Sequence, residues 1–484
     1  MIVQVTEDGV LKLFNRFGLF SLLVVFLPLG IYAQSFADFK RTQVSSFESF
    51  KDEKDSEFNN YLKEQWQEYE AFVSPKLYEK PKPKNIEEVQ EVKTKEIGPR
   101  IDIVIEKAPD INITKVTPLK QVKKDLQFDF FGTPLGFNID HNIKDARFYP
   151  KNQNGIISFF GALASSDYDN LIHSIEKIFN EMQLNDWGVY QLITKLSKQI
   201  YAKPDEEKLF RWFLLNKLSY DVKVGLVRSH VVLLENTQQV VYSTPRYKID
   251  GVYYYAVDHY NNKERLGRLY TYDKKYPDAD KKFDFSMGKT PKLVENIQDK
   301  KLSFRNQGNT ISLDLKINKN LIDFMGTYPQ VDYDVYFNAA LDDALYNQLA
   351  KELKKEINGK KASYGLNFVL RFVQKSFQYQ RDDEQFGKDK VMFAEETLFY
   401  DRSDCEDRAI LFAKLVKKLF NYGVVGVKYK DHMSTALAVP VSGDSVKVGA
   451  KRYVVADPTY INANMGKSMP KYRNIQPESF IRLK

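Results

Sequence analysis

The chain of 484 residues contains one cysteine, Cys405, and five histidines. One thiol cannot close an intramolecular disulfide, nor supply the thiolate cluster of a structural zinc site. No glycine-rich phosphate loop is present, and His141, His173, His230 and His259 are scattered without Cys, Asp or Glu companions at ligand spacing. Nucleotide and zinc chemistry are therefore not expected, and no cofactor is required on these grounds. A strong charge of one sign is also missing: 72 Lys plus Arg against 64 Asp plus Glu leaves +8. So mild an excess, spread over so long a chain, speaks to solubility and gives no reason to expect nucleic acid as partner. Long apolar runs are absent except from Phe17 to Ile31, which is short for a bilayer span and is broken by Pro28 and Gly30. What remains is 43% hydrophobic, 14% aromatic and 28% charged, the composition of a folded soluble protein with room for two or three domains.

Lys12 and Arg16 precede the apolar run, and Ile31-Tyr32-Ala33 offers a small residue for cleavage before Gln34. Residues 1–33 thus read as a secretory signal peptide, with an uncleaved N-terminal anchor as the alternative. A periplasmic or secreted protein with no membrane span after cleavage is expected. No cysteine follows the run, so no lipid anchor is expected. Over 34–73, Phe36, Phe39, Phe47, Phe50, Phe58, Leu62, Trp66 and Tyr69 recur at helical intervals, predicting an amphipathic helix or helical pair. Its polar face is of mixed sign, which favours a packing surface, or a surface for an envelope partner, over a membrane-surface helix. Residues 74–124, with KPKPK, many charges and few aromatics, read as an extended linker with short strands such as Ile101 to Ile105.

The remainder suggests a duplication. NKLSYDVKVGL (216–226) lies over KKLFNYGVVGV (417–427) at an offset of 201, matching Gly225 with Gly426. Upstream, 186–189 and 363–366 each open a helical stretch, and downstream YYAVD (254–258) parallels YVVAD (453–457). Repeats of this length are domains. The division expected is a Cys-less copy at 125–285, a connecting β-rich segment at 286–329 and a catalytic domain at 330–484. At the common offset Cys405 falls opposite Pro204, and His432 falls near His230 only across a gap. Tyr253, Tyr254, Tyr255 and Tyr260 form an aromatic strand region best read as sheet or core packing.

Chemistry gathers in the second copy. Ser403 or Asp404 is a natural N-cap for a helix whose apolar positions are Ala409, Phe412, Ala413, Val416, Leu419 and Phe420, so Cys405 stands at a helix N-terminus. The helix dipole there favours a thiolate, while the flanking carboxylates oppose it unless paired or bound to a cation. His432 heads a predicted strand through Val439, and Asp457 ends the run from Arg452, with Pro458 behind it. The order is nucleophile, base and orienter: Cys405 attacks, His432 takes and returns the proton, and Asp457 fixes the imidazole. The Cys405 backbone N–H is a candidate oxyanion donor.

SDCEDRAILFAKLV, His432 before an Ala-rich strand, and YVVADPTY together resemble the transglutaminase-like cysteine enzyme superfamily, over about 330–484. The resemblance implies an α+β fold with the papain-like arrangement, a Cys-bearing helix packed on an antiparallel sheet, and carries Cys405, His432 and Asp457 over as a triad. DCED is also similar to the calcium-dependent periplasmic cysteine proteases that release biofilm adhesins, which implies Ca²⁺ at Asp404 and Glu406. The alternative is that Asp404 and Glu406 only favour the positive helix end while Asp407 pairs with a basic side chain. The N-terminal helix, the linker and the Cys-less copy are not part of those simpler proteases. The expected function is an exported thiol enzyme acting on a protein or peptide amide through a Cys405 thioester, with hydrolysis favoured over amine transfer. The competing expectation is a cell-envelope binding or assembly protein that retains a relic thiol site.

Overall fold

The computed structural model describes residues 53–103, 124–260 and 266–484. The expected signal peptide and residues 34–52 of the aromatic segment lie outside the described residues. The chain divides into two compact units, Met1–Phe58 and Asn59–Lys484. In the first, 53–58 are helical. The second is a mixed α+β unit whose two larger sheets, of seven and five antiparallel strands, each have helices packed on them. Among the described residues no helix is long and apolar enough to cross a membrane.

The helical expectation for 34–73 fails at its end. Trp66–Tyr69 and Ala71–Phe72 are strands, the first paired with Leu269–Tyr272 and the second with Arg246–Tyr247. Aromatic residues spaced by three or four fit a helix face, yet they also have high strand propensity, and Trp66 packs on Tyr270 and Tyr272 at 5.3 and 5.4 Å between ring centroids. These two strands are the opposite edges of one seven-stranded sheet. Since Glu70 alone separates them, the edges must come within a few ångströms of each other, which curls the sheet toward a barrel and covers its edges.

The core of that sheet runs in the order 269–272, 222–227, 230–236, 252–255, 246–249. The C-terminal sheet runs 479–482, 424–428, 433–437, 451–456, 445–448. Every neighbouring pair in both lists is antiparallel. Each sheet is preceded by two helices, Asp186–Ile200 and Pro204–Lys217 in one case, Ala362–Lys375 and Cys405–Phe420 in the other. The matched glycines have matched reasons: a Cβ on Gly225 would stand 2.7 Å from Leu269, and one on Gly426 2.7 Å from Phe337 and 3.3 Å from Ile481. The two sheets thus share one strand order and one close approach at the matched glycine. The paired helices are joined differently, by 201–203 before the first sheet and by 376–404 before the second.

The connecting segment is a long hairpin, Ile297–Asn306 with Asn309–Asn318, turned at Gln307 and Gly308 with φ of 48° and 87° as a two-residue mirror-image turn requires. Leu302, Phe304, Leu313, Leu315 and Ile317 alternate inward, and Phe304 meets Phe368 and Phe372 of the helix behind it. Tyr254 and Tyr255 are buried, in line with a packing role.

The described part of the expected linker, 74–103, lacks regular structure as the composition suggested, but it is tied down along its length. It bonds to residues 358–363, to Ile461 and to Lys430. Ile101 and Ile103 are buried without forming the expected strand, and 104–105 lie outside the described residues. Free charges and prolines foretold the lack of regular structure. The docking follows from a few buried side chains that composition does not single out.

Candidate functional site

Cys405 is the first residue of the helix running to Phe420, and Asp404 precedes it as N-cap in extended conformation. Asp407 closes the cap by accepting from the Asp404 N–H at 3.1 Å, and its other oxygen accepts from the Met392 N–H at 2.9 Å. The pairing of Asp407 with a basic side chain is thus replaced by two backbone donors. Arg408, fully buried, donates to Ser403 Oγ and to the carbonyls of Gln374 and Phe377, fastening the turn that leads into the helix. Burial brings its guanidinium down to about 10.

The helix packs on strand Met433–Leu437, which His432 immediately precedes, and Asp457 immediately follows the neighbouring strand Lys451–Ala456. The register Thr435↔Ala456 brings the two side chains together, with His432 Nε2 and Asp457 Oδ2 2.8 Å apart, both buried. Thr459 donates to the other Asp457 oxygen through its backbone N–H at 2.9 Å and its hydroxyl at 2.6 Å. Burial would raise Asp457, but the His432 charge and these hydrogen bonds hold it below the usual carboxylate range. The Tyr472 ring lies against the imidazole, centroids 4.7 Å apart and planes 20° apart, and Gln374 Nε2 holds the Asp457 carbonyl at 3.0 Å. Asp457 occupies Nε2, which leaves Nδ1 as the imidazole nitrogen for proton exchange.

The thiol has a different partner. Cys405 Sγ donates to Glu406 Oε2 at 3.1 Å, and among the described residues it has no hydrogen bond to His432. Burial first, then the charges of Glu406 and Asp404, push the thiol well above its ordinary value against the opposing effect of Lys82. Lys82 comes from the segment read as a linker. Its ammonium is buried and bonds Asp382 at 2.7 Å, Asp404 at 2.5 Å and Glu406. Tyr78, from the same segment, donates its hydroxyl to Glu406 Oε2 at 3.2 Å. Desolvation disfavours the charge on Lys82, but the three carboxylates outweigh it and keep the amine protonated far above the usual range. Burial would also raise Glu406, yet Lys82 and the bonds from its neighbours hold it below. The remaining acids then face an excess of negative charge: burial and the other carboxylates raise Asp404 and Asp407 well above the usual range, and Asp382 to about 6. The ion pair at the centre is Lys82 with Glu406.

Among the described residues, no such assembly surrounds the matched positions Pro204 and His230. Pro204 opens the helix where Cys405 opens its own, and His230 is exposed at a strand end. Asp258 is clasped by Arg211 and accepts from the Tyr190 hydroxyl at 2.8 Å, and although burial opposes it, Arg211 brings its carboxyl to about 2.

Of the three residues that sequence order singled out, Cys405, His432 and Asp457, the last two are joined directly. Asp404 and Glu406, singled out as cation ligands, hold an ammonium of the chain itself. Sequence reading missed Lys82, Tyr78, Asp382, Thr459 and Tyr472. The DPTY that follows the strand carried a signal for Thr459, since Asp and Thr two apart commonly share a turn. Nothing in a charged KPKPK stretch distinguishes Lys82 from its neighbours. A scan of protein-family models finds no match to the chain, and searches of curated proteins and of solved structures likewise find none.

Proposed function

We propose that this chain is an exported thiol enzyme of transglutaminase-like, papain-like arrangement, which forms a thioester between Cys405 and a protein or peptide amide and resolves it with water. The observation that supports it is the buried His432–Asp457 pair at the ends of adjoining strands, on the sheet against which the Cys405 helix packs. In the reaction the thiol leaves Glu406, passes its proton to His432 and attacks the carbonyl. The imidazolium, steadied by Asp457, then protonates the departing amine. Water, activated by the same imidazole, breaks the thioester and restores the thiol. The test is incubation with peptide mixtures, an acid quench and mass analysis of the Cys405 peptide, run for wild type and His432→Ala. An acyl adduct in wild type that is lost in the variant is expected, and no adduct with any peptide overturns the reading. Labelled amine appearing in products would replace hydrolysis with amine transfer.

A calcium role for Asp404 and Glu406 belongs to the same proposal and requires Lys82 to leave them. It is measured by the calcium dependence of thermal unfolding in wild type and in Lys82→Met, with stabilisation expected in the variant. One observation favours the second reading, an envelope binding or assembly protein with a relic thiol: Cys405 is fully buried and bonded to a carboxylate rather than to His432. That reading gains if Cys405→Ala preserves the cellular phenotype while deletion of residues 35–72 abolishes it.

A further inference from the structure

We infer that Asp382, Asp404 and Glu406 form a primary-ammonium subsite beside Cys405, filled in the free protein by Lys82, and that residues 78–92 lie in the groove which an extended, lysine-bearing peptide substrate takes. The inference rests on the thiol-enzyme reading for the word substrate, but not for the subsite. The segment crosses the site without regular structure of its own and is held, as a bound peptide is, by scattered main-chain bonds. Lys80 N–H donates to the Lys430 carbonyl at 3.3 Å, two residues before His432. The Pro83 carbonyl accepts from the Tyr379 hydroxyl at 2.8 Å. Glu87 O and Val89 N exchange bonds with Ile461 at 2.9 and 3.1 Å, four residues past Asp457. Between these anchors Lys82 inserts its ammonium among three carboxylates, one of which also receives the Cys405 thiol.

Two features mark this as a ligand site rather than a chance acidic cluster. An ammonium already occupies it, donating to carboxylates that are themselves at most 1% exposed. Asp382 Oδ1, buried in the same group, has no hydrogen-bond partner among the described residues, so the pocket has acceptor capacity beyond what Lys82 uses. Pro81 and Pro83 flank Lys82, fix its neighbours' φ near the extended value and withhold two N–H donors. The segment therefore presents its lysine preorganised, and it forms no continuous ladder with the sheet beneath.

The test uses the full chain carrying Lys82→Met and two synthetic peptides copying Lys76–Val92, one native and one with norleucine at the position of Lys82. Binding is read by fluorescence anisotropy, and occupancy of the groove by the rate of iodoacetamide alkylation of Cys405. The expected result is that the native peptide slows alkylation of Lys82→Met, although the returning ammonium favours the thiolate, and that the norleucine peptide binds at least about tenfold more weakly. Equal affinity of the two peptides, or failure of the native one to protect the thiol, overturns the subsite. Far-UV circular dichroism reports whether Lys82→Met folds. Should it not, Asp382→Asn in the presence of Lys82 replaces it, with faster alkylation than wild type expected and an unchanged rate counting against the proposal. Neither readout needs turnover. Lysine-dependent binding without cleavage of any peptide overturns the enzyme reading and leaves the subsite standing, and cleavage indifferent to lysine does the reverse.

Discussion

Glu406→Gln isolates the electrostatic restraint on the thiol. The substitution keeps the shape and an acceptor oxygen but removes a negative charge that receives the Cys405 thiol at 3.1 Å. At that separation, Coulomb's law gives about 5 kcal/mol with an effective dielectric constant of about 20, and about 1 kcal/mol with that of water. With a repulsion of that size removed, the thiol is expected to become distinctly more acidic. The direction follows from chemistry alone: a carboxylate beside a thiol opposes the thiolate, so its removal favours ionisation, while Lys82 remains to stabilise the anion. The assay is the pH dependence of iodoacetamide alkylation, since this chain has a single cysteine and the midpoint of the profile reports its ionisation even where access slows the overall rate. A midpoint that moves by less than about half a unit, or moves upward, refutes the claim that Glu406 holds the thiol protonated.

Asp457→Asn is expected to keep the fold but to lose the stabilised imidazolium, lowering kcat by about 10⁴-fold on whatever amide substrate the peptide screen yields; a loss confined to KM would show that Asp457 only supports binding. Gly426→Ala places a methyl 2.7 Å from the Phe337 ring and is expected to destabilise by about 1–3 kcal/mol in urea unfolding followed by circular dichroism, and an unaffected midpoint would contradict the close approach. Glu395, buried and accepting from the Asp342 N–H at 2.8 Å, has its carboxyl raised by burial from 4.5 to about 7. The folded state therefore binds the proton more tightly than the unfolded one, and wild-type stability falls as pH rises from 4.5 to about 7. The loss is of the order of 3 kcal/mol, and Glu395→Gln is expected to abolish it when unfolding is compared at acid and alkaline pH. An identical pH dependence in variant and wild type would rule out Glu395 as its source.

Local pattern accounts for what was legible in advance. The apolar spacing after Asp404 specified a helix beginning at Cys405, because a cap, an acidic first turn and a buried face all act within a few residues of one another. His432 and Asp457 were legible as strand-end residues for the same reason, and the 201-residue offset between two stretches of matched pattern pointed to two like units that share one strand order. The aromatic run from Trp66 misled because rings spaced by three or four suit either a helix face or a sheet edge, and the choice fell to Tyr270 and Tyr272, two hundred residues away. The sequence by itself therefore determined the helix that carries the thiol, the strands beside which His432 and Asp457 stand, and the order in which they come. Only the tertiary structure decided that Cys405 bonds to Glu406, that Lys82 from a proline-rich stretch balances the acids around it, and that Asp382 joins them from an insertion between two helices. The Lys82 contacts reach across some three hundred residues, and the burial that makes even the adjacent Cys405 and Glu406 matter to each other is a property of the fold rather than of neighbours in the chain.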